Sequence, residues 1–431
     1  KYLTINTSGY NGYGSVTAEV DWDSFEEKYD SKISYKKKNL LNKLERFLWD
    51  DRSPMNFLEG NVSVSIENDG TYFSNGDKVA YTWNVSDDLQ GALNYKLKYK
   101  EDQMERLFHI STINKYLEWF EDDWDKIKAF SERHQMDGVE LGLTLDYDIS
   151  RIPEGIVKGV HLSFYPMWLD FWQGNLEKVE QILGSKEAVR AYYGGEDKQV
   201  MIDTYKKQYE RAKTLGVKYM VFHVSHVCIE DSFTWKFDYT DEEIIDAAIE
   251  LLNEVFPADE EGPLLLFENL WWPGLNYLDK EVTHKLIKGV KYAQKGLLID
   301  ISHLILTNLQ IGTEKSCYAY IKEVVKNLGE LKDYIYGMHL NKTLPKYYMS
   351  QDRSYLLERY RETQAPMLKN RILKQHIQKL DPHRPFDHEI AKKIVECINP
   401  KFCVYETNPA DIYEMAYFLK QQNKALGILY K

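Results

Sequence analysis

The chain lacks several features that would place it in a special class of protein. Its 431 residues contain no apolar run of the roughly 18 residues that a membrane-spanning helix needs, and no signal-like segment opens it. We therefore expect a soluble, cytoplasmic protein. The four cysteines show no CxxC spacing, which argues against a cysteine zinc site and a disulfide framework. The net charge of −12 argues against a surface built mainly to hold nucleic acid, although it leaves room for a local basic groove.

Short apolar runs, bounded by turn residues, alternate with helical segments along most of the chain. The glycine-rich dinucleotide fingerprint of open doubly wound sheets is missing. The alternation therefore predicts an α/β protein with a (β/α)8 TIM barrel. The eight predicted strands cover residues 1–7, 138–143, 159–164, 217–226, 264–270, 296–302, 334–340 and 402–408.

Two long stretches interrupt this alternation, and we predict both as insertions within a single TIM-barrel domain of residues 1–431. Residues 15–110, after the first predicted strand, contain a helical segment at 39–49 and turn signals at 68–70 and 75–77, which predict an α+β insertion. Its only histidine, His109, receives no role. The aromatic residues of this insertion could recognise a peptide partner. Residues 342–380 are predicted to form a helical insertion between strands seven and eight.

Histidines and carboxylates stand where the predicted strands end, which is where TIM barrels keep their chemistry. A buried imidazole or carboxylate is costly unless it is paired or bound to a metal. A ring of such residues therefore favours shared divalent cations over a core of hydrogen-bonded polar side chains. The residues in question are His161, His223, Glu268, Asp300, His303, His339 and Glu406, with Asp381 and His383 in the loop before the last strand.

The motifs HLSFY, FHVSH, FENLWWPG, IDISH, HLN, DPH and YETN follow the predicted strands in this order. They resemble the xylose-isomerase-like TIM-barrel superfamily, and most closely its endonuclease IV (AP endonuclease family 2) branch. The resemblance implies two or three divalent metal ions, with zinc favoured and manganese or iron as alternatives. The implied ligand sets are His161 and His223 with Glu268; Glu268 as a bridge to Asp300, His339 and Glu406; and His303, Asp381 and His383.

The sequence also departs from that family. The loop from His339 to Asp381 is far longer than the family pattern, so the pair Asp387 and His388 is a rival for the third ion. Lys342 and the residue after it stand where the family usually continues with Asp, Ser and Lys. Together with the acidic net charge, these departures argue against DNA repair.

The implied ligand set predicts a metal-dependent hydrolase of a phosphoester or a related polar small molecule, with Glu268 and Glu406 as catalytic residues. Clustered divalent ions activate water and neutralise charge on the leaving oxygens. One alternative is a sugar isomerase or epimerase with a single ion, which would need only Glu268, Asp300, His339 and Glu406. Another is a multinuclear non-haem iron oxidase acting on a peptide, because histidine and carboxylate ligands also suit iron.

Several further residues have both a functional and a structural interpretation. A candidate histidine could contact the substrate or be a hydrogen-bonded structural residue, candidate asparagines could equally be turn residues, and candidate tryptophans could equally pack in the core. Glu140, in the second predicted strand of the alternating series, either reaches the cavity or forms a salt bridge in the core. The candidate contacts are His226, Asn269, Trp271 with its neighbour Trp272, and Asn341.

Overall fold

The computed structural model describes residues 3–8, 15–29, 58–59, 62–66, 81–85, 104–258 and 261–428. The chain divides into two compact units, Lys1–Asp102 and Gln103–Lys431. In the first unit, β1 pairs with β2 and β3 pairs with β4, both antiparallel. The predicted helix at 39–49 and both predicted turns lie outside the described residues. The described elements of this unit are β1 (Leu3–Ser8), β2 (Ser15–Val20), α1 (Trp22–Tyr29), β3 (Val62–Ile66) and β4 (Tyr81–Val85).

A closed barrel of eight parallel strands forms the centre of the second unit, which confirms the predicted (β/α)8 fold. Neighbouring strands follow the chain order around the barrel, and β12 closes it against β5. The strands are β5 (Glu105–Ser111), β6 (Gly138–Gly142), β7 (Val157–His161), β8 (Tyr219–His223), β9 (Leu264–Glu268), β10 (Lys295–Asp300), β11 (Ile335–His339) and β12 (Phe402–Tyr405).

The first barrel strand differs from the predicted one. β5 pairs in parallel with β12 on one side and with β6 on the other. The stretch predicted as the first barrel strand instead contains β1, whose described partner is β2. Residues up to 102 therefore precede the first barrel strand. The sequence pattern does not distinguish the two stretches, because residues 1–7 and residues 105–111 are equally strand-like. Only the pairing of residues 105–111 with β12 and β6 shows which of them belongs to the barrel.

Helices alternate with the barrel strands. Several begin at side-chain caps; for example, Thr240 and Glu243 form a capping box at the start of α9. Among the residues that the structure describes, none of the helices is long and apolar enough to cross a bilayer. The helices are α2 (Asn114–Glu118), α3 (Trp124–Arg133), α4 (Leu169–Trp172), α5 (Leu176–Leu183), α6 (Lys186–Tyr193), α7 (Gln199–Thr214), α8 (Asp231–Thr234), α9 (Asp241–Val255), α10 (Lys280–Gly289), α11 (Ile301–Leu306), α12 (Glu314–Asn327), α13 (Lys346–Met349), α14 (Ser354–Glu362), α15 (Pro366–Leu380), α16 (Ile390–Ile398) and α17 (Ile412–Ala425).

Helices α13, α14 and α15 occupy most of the predicted helical insertion between β11 and β12. They contact the loop that follows β8: His376 Nε2 lies 2.9 Å from the backbone oxygen of Ser232, and Arg361 pairs with Glu230. Inside the insertion, the hydroxyl of Tyr348 lies 2.7 Å from His376 Nδ1. These contacts hold the insertion against a loop at the carboxyl end of the barrel.

The strands contribute to two apolar layers because their side chains alternate between the barrel interior and the surrounding helices. Residues such as Phe108, Met220 and Phe267 pack in the large core that also contains helix residues. A smaller, separate core holds the side chains on the opposite face of the strands. This inner layer comprises Leu107, Tyr219, Val221, Leu266, Leu298, Phe402 and Val404.

Candidate metal centre

Histidines and carboxylates form one continuous cluster above the inner apolar layer. In five strands, a polar residue of the cluster follows an inner-layer residue by two positions, so both side chains point into the barrel. Leu107 precedes His109 in this way, and Leu266 precedes Glu268. We call this set the strand-end cluster: His109, Glu140, His161, His223, Glu268, Asp300, His303, His339, Asp381, His383 and Glu406.

One corner of the cluster consists of His303, Asp381 and His383. Asp381 Oδ2 lies 3.2 Å from His303 Nε2 and 2.7 Å from His383 Nε2. His303 Nδ1 lies 2.9 Å from the backbone oxygen of Asn269, and His383 Nδ1 lies 3.1 Å from the backbone oxygen of Glu406. A carbonyl oxygen only accepts, so each Nδ1 carries a proton, and Nε2 is the ring nitrogen that faces Asp381 and would bind a cation once a proton on it is displaced. This corner has the donor set that a divalent cation requires.

The centre of the cluster lies around His339, which is fully buried. Its Nδ1 is 3.2 Å from Glu268 Oε1, 3.5 Å from Asp300 Oδ2 and 3.0 Å from Glu406 Oε2. Ligand atoms bound to one ion at about 2.0–2.1 Å lie roughly 2.9–3.4 Å apart, and these separations are close to that range. The structure thus brings together the four residues predicted for the second ion.

Glu268 spans two parts of the cluster. Its Oε2 lies 3.1 Å from His223 Nε2, while its Oε1 faces His339. His161 joins His223 and Glu268 in one group of candidate donors. Phe164 stacks on His223, with ring centroids 4.8 Å apart. Glu268 therefore stands between two groups of candidate donors, and its role as a carboxylate shared by two ions stays a prediction.

Two members of the cluster were not among the predicted ligands. His109 lies on β5, opposite Glu140 of β6 in the strand register, and its ring centroid is 5.2 Å from that of His161. Glu140 is fully buried, and its Oε1 lies 2.9 Å from His161 Nε2. Of the two interpretations of Glu140, the structure therefore supports the one that reaches the cavity. The sequence does contain the pattern that could have identified His109: like other strand-end residues, it directly follows apolar residues, here Leu107 and Phe108.

Buried polar atoms of the cluster are left without hydrogen-bond partners, although buried donors and acceptors in proteins are nearly always satisfied. Oxygen and imidazole nitrogen atoms that converge without hydrogen-bond geometry fit a divalent cation between them. The residues present therefore fit a metal. Three of the oxygens concerned lie 2.9–3.1 Å from an imidazole nitrogen but lack the angles of a hydrogen bond. The atoms without a hydrogen bond of good geometry are His109 Nδ1, Glu140 Oε1, His161 Nε2, His223 Nδ1, Glu268 Oε2, Asp381 Oδ1 and Glu406 Oε2.

The electrostatics of the cluster favour added positive charge. Burial opposes the imidazolium form of His339, but Glu406, Glu140 and Glu268 together raise its pKa well above the ordinary range. Burial likewise opposes the charged form of His383, yet Asp381 raises the pKa of His383 to about 10. Without metal, these rings hold protons, and divalent cations would have to displace them.

His223 behaves differently from these two rings. Burial lowers the pKa of His223 to about 4, even though Glu268 acts in the opposite direction. The ring is therefore neutral at physiological pH and has a lone pair to offer. Its Nε2, which faces Glu268, is the atom placed to coordinate an ion.

Both asparagines that were predicted as substrate contacts form hydrogen bonds with Asp300. Asn269 Oδ1 accepts a hydrogen bond from Asp300 N at 2.8 Å, and its Nδ2 donates to Asp300 O at 3.2 Å. Asn341 Oδ1 accepts from Ser302 N at 3.0 Å, while its Nδ2 donates to Asp300 Oδ2 at 2.9 Å and lies farther, at 3.4 Å, from His383 Nδ1. Asn341 thus orients the carboxylate of Asp300, whereas Asn269 fixes the backbone of Asp300, and substrate contact by either asparagine stays a prediction.

The other predicted substrate contacts lie in different places. The ring centroid of Trp271 is 5.1 Å from that of His303, so this indole borders the cluster. His226 lies outside the cluster: its Nδ1 accepts a hydrogen bond from Leu169 N at 3.2 Å, and its ring packs edge-on against Tyr239. His226 therefore fits the interpretation of a hydrogen-bonded structural histidine.

The rival pair Asp387 and His388 is exposed and lies apart from the cluster. Asp387 Oδ1 accepts from Lys342 Nζ at 2.8 Å, and His388 Nδ1 accepts from Ile390 N at 3.2 Å. The structure thus brings Asp381 and His383, and not the rival pair, to His303.

Comparisons with known proteins bear on the barrel. Residues 170–361 match the family described as xylose isomerase-like TIM barrel. No curated protein gives a significant match. The chain is similar to the solved structure of endonuclease IV from Thermus thermophilus, with 13% identity over 75% of this chain and 100% of that chain and a TM-score of 0.40. It is also similar to 3-keto-D-glucoside 4-epimerase from E. coli, with 10% identity over 75% and 99% of the two chains and a TM-score of 0.43.

A third similar structure is that of the IOLI protein with a binding zinc atom, with 14% identity over 76% of this chain and 100% of that chain and a TM-score of 0.37. The family match covers β9, β10 and β11, which carry Glu268, Asp300 and His339. Residues 170–361 are thus similar to the xylose isomerase-like TIM-barrel family, and they form part of the closed eight-stranded barrel.

Proposed function

We propose that this protein is a metal-dependent hydrolase with a multinuclear centre that acts on a phosphoester or a related polar substrate. The observation that carries the proposal is the corner of His303, Asp381 and His383, which lies directly beside the ligand group around His339. A second set of ligands next to the first is what a multinuclear centre needs. Divalent ions held there would lower the pKa of water and neutralise charge on phosphoester oxygens.

The proposed histidine ligands differ in which ring nitrogen would bind an ion. His303 and His383 would offer Nε2, because their Nδ1 atoms donate to backbone carbonyls. His339 would offer Nδ1, because that atom faces Glu268, Asp300 and Glu406. Asn269 and Asn341 fix Asp300 through three hydrogen bonds, so this carboxylate would be held in place before any ion arrives.

Glu406 is the proposed ligand best placed to take part in proton transfer. Its side chain is 14% exposed, whereas those of Glu268 and Asp300 are completely buried. It lies at the end of β12, with His339 on one side and His383 on the other. A carboxylate at the open edge of the cluster can meet a substrate oxygen, which a carboxylate enclosed by protein cannot do.

An apolar wall borders one side of the cluster. It consists of Val227, Leu270, Trp271, Trp272, Leu306 and Leu380. The indole nitrogens of Trp271 and Trp272 are buried without hydrogen-bond partners among the described residues. A polar substrate with acceptor oxygens would satisfy such donors, and the wall would keep water from that side of the reacting bond.

A multinuclear iron oxidase acting on a peptide is the second candidate. The specific observation in its favour is the composition of the His303, Asp381 and His383 corner, because two histidines and one carboxylate form a ligand set that suits iron. The single-ion sugar isomerase has less support, since Asp381 and His383 would then have no use.

The test of the proposal is hydrolysis of bis-p-nitrophenyl phosphate by the protein after metal reconstitution. We expect turnover by the wild type and its loss in Glu268→Gln. We expect full activity in Glu314→Gln, which changes a half-buried carboxylate that pairs with Lys342 outside the cluster. Absence of esterase activity in the fully metallated wild type would overturn the hydrolase. A dependence of turnover on iron and dioxygen would establish the oxidase instead.

A further inference from the structure

We propose that His109 and Glu140 are metal ligands as well, and that together with His161 they form a site of two histidines and one carboxylate for a divalent transition-metal ion. His161, whose Nε2 faces Glu140, would then serve this ion and not the one beside His223 and Glu268. The inference rests on the proposed function only in requiring a metal centre. It goes beyond it because neither His109 nor Glu140 belongs to the ligand set that the sequence predicted.

Glu140 projects from the middle of β6 into the barrel and is completely enclosed. Its Oε1 lies 2.9 Å from His161 Nε2 and 3.5 Å from His109 Nδ1. Two ligands bound at about 2.0–2.1 Å to one ion lie roughly 2.9–3.4 Å apart, so the distance from Glu140 to His161 is in this range and the distance from Glu140 to His109 is slightly longer. The three donors come from β5, β6 and β7, which are consecutive in the barrel.

The two oxygens of Glu140 have different surroundings. Oε2 accepts a hydrogen bond from Tyr219 OH at 2.7 Å, which fixes the plane of the carboxylate. Oε1 is buried without a hydrogen bond, as are the two nitrogens that face it, His109 Nδ1 and His161 Nε2. One proton between Oε1 and either ring would leave the other nitrogen unsatisfied. A cation between all three atoms would satisfy the whole group.

His339 also approaches Glu140, and these two residues form another group of candidate donors with His161. The Nε2 of His339 lies 3.1 Å from Oε1 and 3.3 Å from Oε2 of Glu140. The Nδ1 of the same ring faces Glu268, Asp300 and Glu406. If Nδ1 binds the central ion, Nε2 carries the proton and donates to Glu140. Glu140 would then link two ion positions, as a ligand at one and as a hydrogen-bond acceptor for a ligand of the other.

The chemistry of the three donors indicates the class of ion. Imidazole nitrogen with one carboxylate suits zinc, iron, cobalt and manganese and does not suit calcium or magnesium, which prefer oxygen ligands. Three protein ligands also leave coordination positions open. His109 is 18% exposed in its side chain, so this position is reached from the open edge of the cluster.

The test is a count of bound metal per chain after reconstitution with zinc and removal of excess ion, in variants that first show a cooperative thermal transition. We expect Glu140→Gln to contain one zinc ion fewer than the wild type. His109→Gln should lose the same ion, and because this change removes no negative charge, the loss would follow from the missing ligand. The double variant should lose no more than each single one, since both residues serve one ion.

Two matched controls keep the ion count of the wild type. Glu314→Gln removes a carboxylate that pairs with Lys342, and His134→Gln removes a histidine beyond the end of α3. An unchanged count in Glu140→Gln and His109→Gln, with metal present in the wild type, would overturn this inference and leave the proposed function intact. A wild type that holds no ion after reconstitution would overturn both.

Discussion

Two groups of side chains in this protein look alike by residue type and differ in what they can bind. One is the corner of His303, Asp381 and His383. The other is the group of Asp170, His226 and Cys228, beside the barrel loop after β8. In each group the candidate ligand atoms lie within 4.8 Å of one another. The two groups differ in which ring nitrogen a backbone N–H or carbonyl engages.

The difference lies in which ring nitrogen remains available. His303 and His383 donate Nδ1–H to backbone carbonyls, so Nε2 is the nitrogen that an ion beside Asp381 would bind after displacing any proton there. His226 does the reverse: its Nδ1 accepts from Leu169 N, so the proton of the neutral ring is on Nε2, which faces Cys228 Sγ at 3.8 Å. Burial also raises the pKa of the Cys228 thiol to about 11, so an ion would have to displace the thiol proton as well.

The carboxylate of the second group is engaged as well. Asp170 Oδ1 accepts from Tyr239 OH at 2.6 Å, and Oδ2 lies 3.1 Å from Lys178 Nζ. Burial acts to raise the pKa of Asp170, but the hydrogen bonds from Tyr239, Lys178 and Asn175 hold it below the ordinary value. A lysine already supplies the positive charge that a cation would bring. Residue types alone therefore do not define a metal site, and the partner of the second ring nitrogen decides.

Removal of metal should have the largest effect. An ion present at about 1,000 times its Kd stabilises the folded state by on the order of 4 kcal/mol. We expect a chelator to lower the Tm by on the order of 5 °C, since unfolding gains about 2.1 cal/mol/K per residue and about 1 kcal/mol therefore shifts the Tm of a unit of this size by roughly 1–2 °C. Differential scanning calorimetry with and without chelator would measure it. His226→Gln should show the same drop, and a Tm indifferent to chelator would speak against a structural metal centre.

Substitution of one histidine in each group sharpens the comparison. His383→Gln should contain one ion fewer per chain than the wild type, because it removes the ring nitrogen that faces Asp381. Its phosphodiesterase activity should fall by more than roughly 100-fold, the upper range for loss of a mere outer-sphere partner. His226→Gln should keep both the ion count and the activity. Elemental analysis and a rate assay of the two variants would show it, and equal ion loss in both would undo the distinction.

A smaller effect is expected from Asn341→Ala. This change removes the hydrogen bond to Asp300 Oδ2 but leaves every proposed ligand in place. Loss of such an orienting partner typically weakens metal affinity by about 10–100-fold. Competition with a chromophoric chelator would measure the affinity. Asn276→Ala, which removes an amide bonded to Asp241, is the matched control and should bind metal like the wild type. Unaltered affinity in Asn341→Ala would mean that Asp300 needs no such support.

The smallest effect concerns acid stability and His226. Burial lowers the pKa of His226 from its ordinary 6.5 to about 4, so between these values the unfolded chain binds more protons than the folded one. Stability therefore falls as the pH falls through this window, by about 1 kcal/mol between pH 7 and pH 5.5. His226→Gln should lack this component. Urea titrations at the two pH values would compare wild type and variant, and identical pH dependence would show that His226 titrates normally in the folded state.

Much of the barrel could be predicted from the sequence, because a strand buried on both faces is a continuous apolar run. Leu264–Glu268 and Lys295–Asp300 are such runs, and each ends in a carboxylate. The same regularity placed the predicted ligands at one end of the barrel. It could also have identified His109, which follows two apolar residues of its strand. However, residues 1–7 are equally strand-like, and only the pairing of β5 with β12 and β6 distinguishes the two stretches.

What could not be predicted is the partner of each ring nitrogen. The carbonyls that receive His303 Nδ1 and His383 Nδ1 belong to Asn269 and Glu406, which are far from these histidines in the chain. Likewise, the engagement of His226 with Leu169 N depends on a contact between the loops after β7 and β8. Such contacts depend on tertiary structure, and periodicity carries no information about them.

The most direct test of the account is an anomalous difference map from crystals of the zinc-reconstituted protein, recorded at the zinc absorption edge. The account predicts at least two peaks in the strand-end cluster, one of them within bonding distance of His303 Nε2, Asp381 and His383 Nε2, and no peak at Asp170, His226 and Cys228. A peak at the second group, or a strand-end cluster without any, would contradict it.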